Sequence, residues 1–251
     1  MMMLKTLDNA IQVLNCFTAQ KKAWGVRELA RELNISHTAV NRIVKTYERN
    51  GFLTQDAETK KYQLGLKFIE FSQIIRERMS ITEDILPIME KIAEKTKESI
   101  FLTWKENNDG VTLAIAESEE RIKFSVSIGT RTPLYVGASC KVIMAFLPEE
   151  EQLAIIDQGL TRYTEKTTTD KIALLNELKE IKERKWCYTH GEYTDQVFGL
   201  AVPLFNKHQQ VIASITAAGP QYRLTHKSKG DMLDIIKEGA QEIQQIIYNF
   251  F

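Results

Sequence analysis

Residues 34–54, NISHTAVNRIVKTYERNGFLT, set His37, Thr38, Asn41, Arg42, Lys45 and Arg49 on one side of a helix. The other side carries Val40, Ile43, Val44 and Tyr47, the i, i+3, i+4, i+7 spacing of an amphipathic helix. Long donors and acceptors grouped in this way suit hydrogen bonding to DNA base edges, with Lys and Arg answering phosphates. No acid interrupts the face before Glu48, and a carboxylate there would repel phosphate. A merely solvated helix face would use the same residue types. What flanks the helix decides between the two.

The other reactive side chains form weaker constellations. Cys16, Cys140 and Cys187 are odd in number and make no CxxC, which argues against a disulfide framework or zinc site and suits a reducing cytosol. His37, His190, His208 and His226 form no HxH or HExxH pair. His190, Glu192 and Asp195 lie close in sequence without a GxSxG nucleophile motif, and GASCK lacks the spacing of a phosphate loop. Trp104 and Trp186 read as core. Cys140, at the start of a helical stretch, is the one residue that could support an enzyme-like or redox alternative. The expectation is a protein that is not an enzyme and takes no metal or cofactor.

Three helical patterns open the 251-residue chain. Leu7, Ala10, Ile11 and Leu14 give the first stripe, and Val26, Leu29, Ala30 and Leu33 the second. Only NIS separates the second pattern from the third: Asn34 suits a helix end, Ile35 plugs a core, and Ser36 can cap the next helix. Helices joined so tightly make a helix-turn-helix. Gly51 stops the third, and FLTQDAETKKYQL reads as strand, turn, strand, which is a wing. In a winged helix-turn-helix the third helix enters the major groove. The candidate DNA contacts are therefore Arg27, Ser36, His37, Thr38, Asn41, Arg42 and Lys45, with Lys60 and Lys61 at the wing tip.

Charge is divided along the chain. Residues 1–78 hold 13 basic against 8 acidic side chains, and residues 79–251 hold 20 against 25. A basic end on an acidic remainder suits a polyanion partner for the first part only. The expected division is a DNA-binding domain over 1–65, a linking helix over 66–79 and a second domain over 80–251. Leu66, Ile69, Ile74 and Met79 make the linking helix a candidate contact between two copies. From Ser80 the patterns alternate: a helix to Lys97, strands on either side of an Asp109-Gly110 turn, and a strand through Ile122, Phe124, Val126 and Ile128. Three helices, two further strands and a final helix from about Ser228 to Tyr248 follow. This predicts an α+β fold, with an antiparallel sheet flanked by helices behind the winged domain. No signal peptide or membrane span is read, so a soluble, cytoplasmic protein is expected.

Four segments in order resemble the isocitrate-lyase-regulator (IclR) family of bacterial transcription regulators: VRELARELNISHTAVNRIV, YQLGLKF, PLYVGASCKVIMA and GEYTDQVFGLAVPLFN with VIASITAAGP. The resemblance spans nearly the whole chain. It implies a GAF-like effector domain that binds a small organic effector bearing a carboxylate. It also implies a homodimer or dimer of dimers (a tetramer) on a pseudo-palindromic double-stranded operator. By position it implies a pocket lined by Ala138, Ser139 and Cys140, then Thr189, Val197 and Gly199, then Thr216 and Ala218. Family members often carry an acid, a cysteine and paired hydroxyls where this chain has Thr189, Gly199, Thr216 and Ala218, so a less polar site with extra room at Gly199 is expected: either the effector is larger or more apolar, or neighbouring side chains occupy the space. Asn9 stands where the family usually has Arg, and Thr38–Ala39 replaces a common small-Thr pair, while Arg42 is kept.

Overall fold

A computed structural model describes residues 4–18, 20–78, 81–224 and 226–250. The chain divides into two compact units between residues 79 and 80.

The first unit holds α1 (Lys5–Asn15), α2 (Val26–Glu32), α3 (His37–Arg49), the hairpin β1 (Leu53–Gln55) and β2 (Tyr62–Leu64), and α4 (Lys67–Arg78). Its core is Val13, Leu29, Val40, Val44, Leu53 and Tyr62, each removed from solvent. Every such side chain contributes about 1.5–3 kcal/mol on burial, enough together to hold a small unit. The turn between α2 and α3 works as its residues suggest. Asn34 takes a left-handed φ of 52°, Ile35 packs on the core, and Ser36 Oγ accepts from the Ala39 N–H at 3.3 Å. Gly51, with φ 78°, ends α3. Trp24 pairs with Tyr62 through both backbone hydrogen bonds and so ties the wing to the α2 side of the unit.

One helix differs from the sequence expectation, and a second keeps to it with an added contact. In α1 the buried residue is Val13, with Ala10 and Leu14 beside it, whereas Leu7 and Ile11 remain 57% and 48% exposed. The face that packs is thus rotated from the expected stripe, because Val13 and Phe17 reach the core instead. In α4, Phe68 and Phe71 pack on Phe52 at ring separations of 5.5 and 5.7 Å, leaving Leu66, Ile69 and Ile74 exposed. Met79 lies outside the described residues.

The second unit is a six-stranded antiparallel sheet in the order β5-β4-β3-β8-β7-β6. Its strands are β3 (Ser99–Glu106), β4 (Asp109–Ala116), β5 (Arg131–Pro133), β6 (Cys187–His190), β7 (Val197–Phe205) and β8 (Val211–Pro220). The two-residue side-chain period assigns the faces. Leu200, Val202 and Leu204 of β7 and Ala213, Ile215 and Ala217 of β8 pack under α5 (Ile81–Thr96) and α9 (His226–Phe250). The alternate residues face α6 (Gly137–Met144), which carries α7 (Glu149–Asp157) and α8 (Lys171–Arg184) behind it. Ser214 Oγ donating to the Ser139 carbonyl at 2.8 Å fixes α6 on β8.

The strand expectations need three corrections. The β3–β4 turn is Asn107-Asn108, with Asn107 at φ 55°, and Asp109-Gly110 already belongs to β4. Asparagine is one of the few non-glycine residues that take the left-handed region in so short a loop. Residues 121–128 form no strand. They cross the sheet as a strap, with Ile122 and Ile128 exposed and Phe124 turned in against Phe101 at 5.7 Å. The partner of β4 is instead the short β5. The edge strand β6 carries too little apolar alternation to be read in advance.

Candidate functional site

The α3 face is built as the sequence suggests. His37, Thr38, Asn41, Arg42 and Lys45 are exposed on the side opposite Val40, Ile43 and Val44, and Arg27 is exposed on α2. A helix of 13 residues extends roughly 20 Å, and a major groove about 12 Å wide admits it. Among the described residues Arg27 and Arg42 make no salt bridge. Lys45 does: its Nζ lies 2.8 Å from Glu48. Ser36 spends its hydroxyl oxygen on the α3 cap.

The wing tip is less uniform than expected. Asp56 accepts from the Thr59 N–H and hydroxyl, both at 2.7 Å, and from the Glu58 N–H, which holds its carboxyl below the usual range and shapes the turn. Lys60, at φ 56°, stands exposed on that turn with no ion pair among the described residues. Lys61 folds back to Glu28 of α2, Nζ to Oε1 3.1 Å. Its charge ties wing to helix, a contact across 33 residues that no local spacing reveals.

In the second unit a cavity of about 90 Å³ lies between the sheet, the start of α6 and the strap. Seven of the eight expected residues line it: Ala138, Ser139, Thr189, Val197, Gly199, Thr216 and Ala218. Cys140 does not. It is fully buried between α6 and the β4–β5 edge of the sheet, with Sγ 3.5 Å from the Thr132 carbonyl. A Cβ on Gly110 would sit 2.7 Å from that sulfur, so the glycine is what lets α6 approach β4. Burial pushes the Cys140 thiol up to about 12, the reverse of an activated nucleophile. Nothing in this geometry supports the enzyme-like or redox alternative.

Gly199 also acts differently from the expectation. A Cβ there would meet the Ala138 methyl at 3.1 Å, so this glycine admits the α6 N-terminus rather than widening the cavity. Phe101, Phe124 and Val126 supply apolar wall, while Thr103, Thr112, Thr130 and Thr132 supply hydroxyls. Thr216 Oγ1 is buried without a hydrogen-bond partner among the described residues. An orphaned hydroxyl of this kind costs about 1–3 kcal/mol unless something in the cavity answers it.

Sequence reasoning missed Glu192 as a wall residue. Its Oε2 accepts from the Gly137 N–H at 3.1 Å, and its Oε1 accepts from Lys141 Nζ at 2.8 Å. Lys141 is fully buried and donates to Glu177 at 2.8 Å as well. Burial pushes the Glu192 carboxyl up, and Lys141 and the Gly137 amide oppose that shift. The signal was a lysine in the middle of GASCKVIMA, a stretch otherwise apolar enough to be core.

Fold and sites define a winged-helix DNA-binding module on the same chain as a cavity-bearing sheet domain. Comparison with known proteins makes the class specific. Residues 6–57 match the IclR helix-turn-helix domain, and residues 74–245 match the bacterial transcriptional regulator IclR C-terminal domain. The chain belongs to the IclR family of transcriptional regulators. It is a DNA-binding regulator and not an enzyme. It is 31% identical to the HTH-type transcriptional regulator KipR of Bacillus subtilis over 97% of each chain. Its structure is similar to that of the Thermotoga maritima IclR, with TM-score 0.72, 26% identity, and coverage of 98% of this chain and 99% of that one. An IclR homologue from Microbacterium hydrocarbonoxydans, solved in complex with 4-hydroxybenzoate, shares the fold at TM-score 0.82 and 21% identity over 96% and 98% of the chains. Among the described residues no helix is long and apolar enough to cross a membrane, and no His, Cys, Asp and Glu group could hold a metal ion.

Proposed function

We propose that residues 1–65 read DNA, that residues 66–79 join and help to pair two copies, and that residues 80–251 sense a small organic effector that modulates operator binding. The observation that carries this reading is a cavity walled in part by Thr216, whose buried hydroxyl has no partner among the described residues, on the same chain as an exposed polar α3 face. Asn41 and Arg42 are the base-edge contacts; His37, Thr38, Arg27, Ser36 and Lys45 support them, and Lys60 reaches phosphate. The protein acts in the cytoplasm as a dimer or dimer of dimers. Its operator is a pseudo-palindrome, because a two-fold assembly presents two recognition helices. The exposed Leu66, Ile69 and Ile74 support the pairing.

The effector carries a carboxylate or carbonyl end. The first-turn N–H groups of a helix have no internal partner, and Ala138 and Ser139, in the first turn of α6, line the cavity. The homologue's ligand is an aromatic acid. A cavity of about 90 Å³ is well below the ~150 Å³ that holds a benzene ring. The effector here is thus a small organic acid.

Selection of duplexes from a random pool, followed by salt titration of the enriched sequence, tests the DNA arm. The expected result is an inverted-repeat site whose affinity falls steeply with salt. Failure to enrich any sequence contradicts the reading.

A further inference from the structure

Glu192 is the charged residue among the described residues that line the cavity. It is fixed from behind. Lys141 and the Gly137 amide hold its two oxygens, and its backbone carbonyl accepts from the Thr167 hydroxyl at 2.7 Å. Moving it aside would uncover the buried Lys141 ammonium, so it is a permanent part of the wall. Lys141 faces two carboxylates, Glu192 and Glu177, and the cluster carries a net negative charge beside the cavity.

A ligand that is only an anion meets that charge with no cation on the described wall to offset it. The carboxylate of Glu192 has about four acceptor sites and uses two of them on Lys141 and Gly137. What the site lacks is a donor from the ligand. We propose that the effector is amphoteric: a short α-amino acid, or a related acid with an N–H beside its carboxyl group, whose N–H is taken by Glu192. Its carboxyl end meets the Ala138 and Ser139 amides and the Thr216 hydroxyl. This inference rests on reading the cavity as the effector site.

The test is calorimetry on the full chain with sets of equal size and skeleton: alanine, lactate and pyruvate, then 2-aminobutyrate, 2-hydroxybutyrate and 2-oxobutyrate, with both enantiomers where they exist. Within a set, the amino member binds about tenfold or more tightly than the oxo acid, since a site built for a donor rejects the analogue that lacks it. In Glu192→Gln the order inverts: the amino acid loses about tenfold, and the oxo acid gains because the negative charge is gone. Lys141 keeps Glu177 in that variant, so the fold survives, and thermal unfolding verifies this. An oxo or hydroxy acid that binds the parent more tightly than its amino partner overturns the inference while leaving the cavity as the site. So does an equal loss for every ligand in Glu192→Gln. Binding by no member, or binding unchanged when Ala218→Leu fills the cavity, overturns the cavity reading itself.

Discussion

Replacing Lys141 by Met keeps the length and apolar stem of the side chain and removes its charge. Glu192, 8% exposed, then loses its ammonium partner and keeps only the Gly137 amide. Breaking a buried pair by deleting one partner costs about 3–5 kcal/mol. Glu177, whose side chain is 26% exposed, regains water, which places the cost near ~3 kcal/mol. For a chain of this size that lowers Tm by roughly 6–12 °C. The pH dependence identifies the cause. Burial raises the Glu192 carboxyl and Lys141 lowers it, so Lys141→Met leaves the folded pKa further above the unfolded value of about 4.3. A carboxyl raised in the folded state favours folding below the unfolded pKa and loses that contribution as pH rises through the folded one. The parent, itself raised, loses stability alongside the variant until its own folded pKa is passed, so the deficit is smallest at low pH and grows, by up to about 1.4 kcal/mol per pH unit, between the folded pKa of the parent and that of the variant. Thermal unfolding of parent and variant between pH 5 and pH 8 measures it. Adding Glu192→Gln to Lys141→Met should recover most of the loss at pH 8. A deficit equal at both ends of the range would mean lost packing rather than an uncompensated charge, and the argument would fail.

Three other outcomes follow from the same geometry. Arg42→Ala should cost ~1–3 kcal/mol on the selected operator and relax preference at one base pair per half-site, read by competition with single-position variants; an equal loss on random DNA would reassign Arg42 to phosphate. Lys60→Ala should reduce the slope of log affinity against log salt by about one unit per contact, and Lys61→Ala by less, since Lys61 is already committed to Glu28; equal slopes for both variants would count against the pairing. At pH 8 a thiol pushed up to about 12 is roughly one part in ten thousand thiolate, so alkylation of the native protein should spare Cys140 and label it only on unfolding; rapid native labelling at Cys140 would revive its chemistry.

The parts of the fold legible in the sequence are those written in short-range spacing. The stripe Val40, Ile43, Val44, Tyr47, the Ser36 cap and the Gly51 stop are all local, and α3 follows them. Of the eight residues that resemblance pointed to, seven line the cavity, because they share strand faces and a helix turn. Errors arose where a partner distant in sequence decides. The alternation of residues 121–128 implies a strand, but only Phe124 and Val126 find an inward surface, and the edge of β4 goes to β5. Gly199 reads as added room until the approach of Ala138 is seen. The Lys141–Glu192 pair spans 51 residues and carries no periodic signal at all.

The central claim is that occupancy of the cavity controls operator binding. Ala218 lies on β8 facing the cavity, and the three added carbons of Ala218→Leu fill most of its roughly 90 Å³. Operator affinity of parent and Ala218→Leu, measured by fluorescence anisotropy with and without the low-mass metabolite fraction of a bacterial extract, tests the claim directly. A ligand shifts the equilibrium only through its differential affinity for the two states. The account therefore predicts that the fraction changes parental affinity about tenfold or more, and leaves the variant unmoved at an affinity fixed by its filled cavity. An equal shift in both proteins would contradict it.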